Sequence, residues 1–196
     1  MPDHLPALVL VGASAGGLAV LRRLLSDLPA DLPATVVAVV HLPSRPARRL
    51  VELVRGSCLL DVHEVVVSRR LRASLVLVAP PDRHLEVVGE EVRVSERPRC
   101  NGVRPSVDVL FDSGARELGR RVVAVVLSGA LRDGASGAAH VEEAGGRVLV
   151  QDPLDASVQG MPASAMESTR VHGVVAARAL GAEVARLVRD VVRVGA

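Results

Sequence analysis

Short apolar runs punctuate the chain at Ala7–Val11, Thr35–Val40, Leu75–Ala79, Val122–Leu127 and Arg147–Val150. They are continuous and Val-rich rather than alternating, the pattern of strands covered on both faces in a parallel sheet. Between them, apolar positions recur at helical spacing over Gly16–Leu28, Pro46–Arg55, Val107–Leu118, Gly134–Ala144 and Ala179–Val192. Strands alternating with helices predict an α/β fold, a doubly wound and mostly parallel sheet flanked by helices. Leu85–Val88, a Gly89-Glu-Glu turn and Val92-Arg-Val add a small antiparallel hairpin. The polar loop Ser95–Pro105, with Pro98 and Pro105, is expected to lie over an active face. No linker or internal repeat interrupts the pattern, so residues 1–196 read as one domain.

The chain is 49% hydrophobic and 23% charged over 196 residues, which excludes disorder as its main state. Its two cysteines, Cys58 and Cys100, are too few and too distant for a disulfide scaffold and fit a reducing compartment. No apolar run approaches the ~20 residues of a membrane span, and the N-terminus carries no secretory pattern, so a cytoplasmic protein without membrane insertion is expected. Net charge is only +2, Trp and Tyr are absent, and Phe111 is the single aromatic residue. Binding of nucleic acid through stacked bases and clustered cations is therefore not expected.

Ligands of open α/β sheets bind at the carboxyl ends of the strands. After the first strand comes Val11-Gly-Ala-Ser-Ala-Gly-Gly17, after the second Val40-His-Leu-Pro43, and after the Val122–Leu127 strand Ser128-Gly-Ala-Leu-Arg-Asp-Gly134. Ser14, His41 and Asp133 thus follow three strand ends. A serine at a sharp turn presents its hydroxyl outward, and the N–H groups opening the next helix suit an oxyanion. Imidazole can take and return the serine proton, and a carboxylate can fix its tautomer. Singly, each has a plainer reading: a helix cap, a packed histidine, a turn residue. A dinucleotide fingerprint would need glycine at position 14 and an acid where His41 stands, and a P-loop would need the lysine that this chain lacks.

At these residues the sequence resembles the catalytic domain of CheB, the chemotaxis protein-glutamate methylesterase. The matches are Gly12-Ala-Ser-Ala-Gly-Gly17, His41-Leu-Pro43, Ala79-Pro-Pro-Asp-Arg-His84, Arg104-Pro-Ser-Val-Asp-Val-Leu-Phe111, Leu127-Ser-Gly-Ala-Leu-Arg-Asp-Gly134 and the stretch from Gln151 to Gly160-Met-Pro162. The resemblance implies hydrolysis of glutamyl methyl esters on chemoreceptor helices, with deamidation of certain receptor glutamines. It places the nucleophile on Ser14, the base on His41 and the orienting acid on Asp133. It implies no metal and no organic cofactor. Its partners would be a methylated chemoreceptor or similar helical signalling protein and, since the chain opens directly at the catalytic strand, a separate receiver-domain protein.

The chain departs from the family pattern at Ala130, Leu131 and Arg132, where a Met and a Gly are replaced and a cation is added beside Asp133. Cys100-Asn-Gly-Val103 lacks the polar His-Arg pair common in the family. These departures keep open a catalytically weak or inactive signalling interaction module on the same fold, and a hydrolase of small esters. His84 and Asp82 read as structural hydrogen-bonding residues, and Ser106 as a helix N-cap. Met161-Pro162 reads as a glycine turn that lines the cleft or packs. His4, His63, His140 and His172 lack partners at metal-ligand spacing.

Overall fold

The computed structural model describes residues 5–42 and 49–194. In chain order the elements are β1 (Ala7–Ala13), α1 (Gly17–Ser26), β2 (Ala34–Val40), α2 (Leu50–Val54), β3 (Asp61–Glu64), β4 (Ser68–Arg70), β5 (Leu75–Val78), β6 (His84–Val88), β7 (Glu91–Ser95), α3 (Val107–Leu118), β8 (Val122–Val126), α4 (Ala135–Glu143), β9 (Arg147–Gln151), α5 (Gly160–Ser168), β10 (Gly173–Val175) and α6 (Leu180–Val194). A seven-stranded sheet runs in the order β10-β9-β8-β1-β2-β5-β3, with every neighbouring pair parallel.

The Val-rich runs form its interior. Along β1, Val9 and Val11 face a core shared with Leu21, Leu24 and Leu25 of α1 and with Val184 and Val188 of α6. Leu8 and Leu10 face the opposite core, with Leu110 and Phe111 of α3, Val141 of α4 and Met161 of α5. Burial on both faces is why these strands do not alternate. Each fully buried Leu or Phe contributes roughly 1.5–3 kcal/mol. The edge strands β3 and β10 carry exposed and half-buried residues, and for that reason the apolar pattern did not mark them.

The predicted hairpin is β6 paired antiparallel with β7, and β4 extends it to a small sheet of order β4-β7-β6. That sheet packs on α3, where the Ser113 hydroxyl accepts a hydrogen bond from Val87 N–H at 3.0 Å. Two expectations change. The helix expected over Pro46–Arg55 is seen only as α2, from Leu50, and positions 46–48 lie outside the described residues, as do His4 and Pro43. Met161-Pro162 is not a turn: both lie in the first turn of α5, where proline's missing N–H has no helical partner to lose.

One close approach sets the next layer. Gly12, near the end of β1, is backed by the methyls of Val107, which a Cβ there would strike. The missing side chain lets the start of α3 sit against the carboxyl end of the central strand.

Candidate active site

Because β8, β1 and β2 are neighbours, the segments leaving their carboxyl ends emerge side by side. The register of β1 with β2 ends at Ala13 opposite Val40, and the N–H of His41 donates to the Ala13 carbonyl at 2.9 Å. Ser14 and His41 are therefore the next residues of adjacent strands. On its other side, Ser14 N–H donates to the Ser128 carbonyl at 3.0 Å, just beyond β8. Ser14 is half-buried and sits two residues before the N-cap of α1.

Asp133 reaches His41 from the far end of the loop that begins at Ser128. Its Oδ2 lies 2.9 Å from His41 Nε2, with the two side chains 6% and 19% exposed. The ring nitrogen is buried and its N–H is not aligned on the carboxylate, so the contact is close without being a well-formed hydrogen bond. Such bonds commonly tighten only when substrate arrives. With Nε2 turned to Asp133, Nδ1 is the ring atom left for another partner. No side-chain hydrogen bond links Ser14 to His41 among the described residues.

The Asp133 carboxylate is held by the start of α3. Oδ2 accepts from Val107 N–H at 2.7 Å, and Oδ1 accepts from the Ser106 hydroxyl at 2.8 Å and from Asp108 N–H at 3.1 Å. Burial works to raise its pKa. The close approach of His41 and the hydrogen bonds from Val107, Asp108 and Ser106 outweigh it, and the carboxyl ends below its ordinary value. The positive end of α3 favours the same anion.

Ser106 is the N-cap the sequence suggests, its hydroxyl accepting from Val109 N–H at 3.4 Å, but it also touches Asp133 directly. Its own N–H donates to His84 Nδ1 at 3.1 Å, and the other ring nitrogen of His84 meets the Pro98 carbonyl at 3.1 Å. His84 is fully buried, and burial works to lower its pKa; with Nδ1 accepting from Ser106 N–H, the nitrogen facing the Pro98 carbonyl, Nε2, is the one that carries the proton. Its structural role is as expected. Asp82 also matches its reading: it ties Arg99 at 2.6 Å and Arg104 at 2.9 Å, anchoring the Ser95–Pro105 loop.

That loop forms one wall of a cavity of about 450 Å³ that includes His41, with Arg99, Arg104, Pro105 and Asp82 among its lining. Met161, fully buried, packs its sulfur on Gly129 rather than facing a cleft. Sequence reasoning passed over Asp108, a second buried carboxylate beside Asp133; a Ser-Val-Asp triplet opening a helix was the available signal. Among the described residues, no three His, Cys, Asp or Glu side chains converge as a metal centre needs.

Comparison with known proteins gives a consistent picture. A family model described as CheB methylesterase matches residues 9–184. The chain is 38% identical over 177 residues to the protein-glutamate methylesterase/protein-glutamine glutaminase 2 of Koribacter versatilis, covering 88% of this chain and 49% of that protein. It is 40% identical over 186 residues to the protein of the same name from Anaeromyxobacter dehalogenans, covering 94% of this chain and 53% of that protein. The chain thus spans about half the length of these curated relatives. The crystal structure of the Thermotoga maritima CheB methylesterase catalytic domain superposes with a TM-score of 0.86 at 30% identity, covering 93% of this chain and 98% of that one.

Proposed function

Since the chain belongs to the CheB methylesterase family, we propose that it is a cytoplasmic protein-glutamate methylesterase acting on a methylated chemoreceptor or similar helical signalling protein. The observation that carries this reading is the approach of His41 Nε2 to Asp133 Oδ2 at 2.9 Å, with Ser14 at the next register position of the central strand. In the mechanism we assign, Ser14 Oγ attacks the ester carbonyl and its proton passes to His41 Nδ1. Asp133, kept anionic by the start of α3, stabilises the imidazolium without taking the proton. The N–H of Gly17 turns back to the Ser14 carbonyl at 3.0 Å, so we assign the oxyanion to the amides between them, beginning with Ala15 N–H. Collapse of the tetrahedral intermediate breaks the bond to methoxide, which leaves as methanol with the proton from His41. Water, deprotonated by the same imidazole, then cleaves the acyl-serine and frees the glutamate. Deamidation of a receptor glutamine follows the same course with ammonia leaving.

The test is methanol release from a methylated receptor fragment, run beside labelling with a fluorophosphonate. Ser14→Ala should abolish both. A Ser14→Ala protein with the wild-type rate rules out the mechanism.

A further inference from the structure

Two buried carboxylates cross at this site. Asp133 accepts the N–H groups that open α3, including that of Asp108 at 3.1 Å. Asp108, on the first turn of α3, accepts in return the N–H of Gly134 at 2.9 Å and of Gly137 at 2.8 Å, at the opening of α4. Each acid therefore holds the start of the helix beside the other, and the residue directly after Asp133 is fastened by Asp108. The closed ring has a price in repulsion: burial, then the charge of Asp133, push Asp108 up to about 6.

The loop that delivers Asp133 needs such a fastening. Leu131, two residues earlier, has φ +63 and is 78% exposed, so no packing of its side chain holds a backbone shape that leucine avoids. The near end of the loop is fixed through Ser128 O, which takes Ser14 N–H. The far end is fixed at Gly134 by Asp108.

We infer that Asp108 is a positioning residue for the hydrolysis: by holding Gly134 and Gly137 it sets where the Asp133 carboxylate stands against His41. The inference rests on the triad reading above. A cap for α4 alone would affect only how much of the protein is folded. Positioning affects turnover of the folded enzyme, because misplacement by about 1 Å can lower a rate about a hundredfold.

The experiment measures kcat and KM for methanol release from the methylated receptor fragment, per folded protein. It compares Asp108→Ala, Asp108→Glu and Asp108→Asn with wild type, and Asp108→Ala in an Asp133→Ala background. Asp108→Ala removes the acceptor, and Asp108→Glu displaces it by one methylene; each should lose at least about tenfold in kcat with KM little changed. Asn keeps an oxygen for both N–H groups and should stay within about twofold of wild type. In the Asp133→Ala background, Asp108→Ala should add no more than about twofold, because the two act as a unit. If Asp108→Ala does not fold, the contrast between Glu and Asn carries the test. Folded Ala or Glu variants with wild-type kcat overturn the inference, as does a full loss that persists without Asp133. An Asp133→Ala enzyme with wild-type kcat removes the triad and this inference together. An inactive Asp133→Ala beside unimpaired Asp108 variants removes this inference alone.

Discussion

The Ser106 hydroxyl donates to Asp133 Oδ1 across 2.8 Å while the same oxygen accepts from Val109 N–H at the start of α3. One side chain thus caps a helix and orients a buried acid. Losing a cap costs about 1 kcal/mol, and leaving a buried carboxylate oxygen short of a donor costs about 1–3 kcal/mol. Ser106→Ala should therefore lower unfolding free energy by about 2 kcal/mol, read by urea denaturation, and lower kcat by about tenfold through the loosened Asp133. A variant as stable and active as wild type would show that the hydroxyl does neither.

Asp133→Asn keeps the size of the side chain and changes what it offers to the ring. An amide cannot balance an imidazolium and can present N–H where the carboxylate presented oxygen. The expected loss in kcat for ester hydrolysis is on the order of a thousandfold or more, with KM little changed. Unimpaired turnover would remove Asp133 from the mechanism.

Much of this arrangement could be anticipated from residue patterns, for a physical reason. Strands buried on both faces must be apolar throughout, so the runs containing Val9, Val37 and Val125 identify themselves. Parallel strands then place their carboxyl ends on one edge, which singles out Ser14 and His41. The edge strands β3 and β10 have one face or less to bury and leave no such mark. The hold on Asp133 is invisible for another reason. It depends on α3 arriving beneath the loop, through tertiary packing against Gly12, and no local signal distinguishes Ser106 as a plain cap from Ser106 as a donor to Asp133. Asp108 is hidden the same way, since an acid in a first helical turn is ordinarily solvated.

Asp108 makes stability depend on pH in a direction unusual for a carboxyl. Burial, then repulsion by Asp133, push it up to about 6, whereas an unfolded aspartate titrates at ~3.9. Between roughly pH 4 and pH 6 the folded chain holds a proton that the unfolded chain has released. The stabilisation from this group is complete below that window and is lost as pH rises through it. Asp108→Asn removes the dependence. Its stability relative to wild type should rise between pH 4 and pH 7, by on the order of 1 kcal/mol, in urea denaturations at both values. A difference that is flat or falls with pH contradicts the assignment.

Leu131 stands at φ +63 and is 78% exposed. The left-handed conformation costs a leucine about 1–2 kcal/mol, while glycine gives back about 0.5–1 kcal/mol through the entropy of the unfolded chain. Little packing is at stake at such exposure. Leu131→Gly should leave the protein equally stable or more stable by up to about 1 kcal/mol, a rise of a few degrees in Tm. A clear loss of stability would mean that the leucine side chain makes a contact that outweighs its backbone strain.

Gly129 lies between two groups that must both stay where they are. A Cβ there would strike Met161 Sδ on one side and stand 2.8 Å from Ser14 Cβ on the other. Its backbone is fixed as well, its N–H donating to Val158 O at 3.0 Å and its carbonyl accepting from Met161 N–H at 2.8 Å. The added methyl of Gly129→Ala cannot be absorbed by moving the loop, so a neighbour must yield. Methionine is the softer of the two, and shifting it costs about 1–3 kcal/mol of overpacking. Shortening it should relieve that part, so Gly129→Ala with Met161→Ala should be more stable than the sum of the two single changes predicts. The clash with Ser14 remains, since Ser14 hangs on the rigid end of β1 and its N–H is tied to Ser128 O. Activity should therefore stay depressed, by at least about tenfold in kcat, in the single and the double variant alike. Recovery of stability without recovery of turnover is the expected result. Recovery of both would mean that Met161 alone feels the methyl and that Ser14 has room to spare.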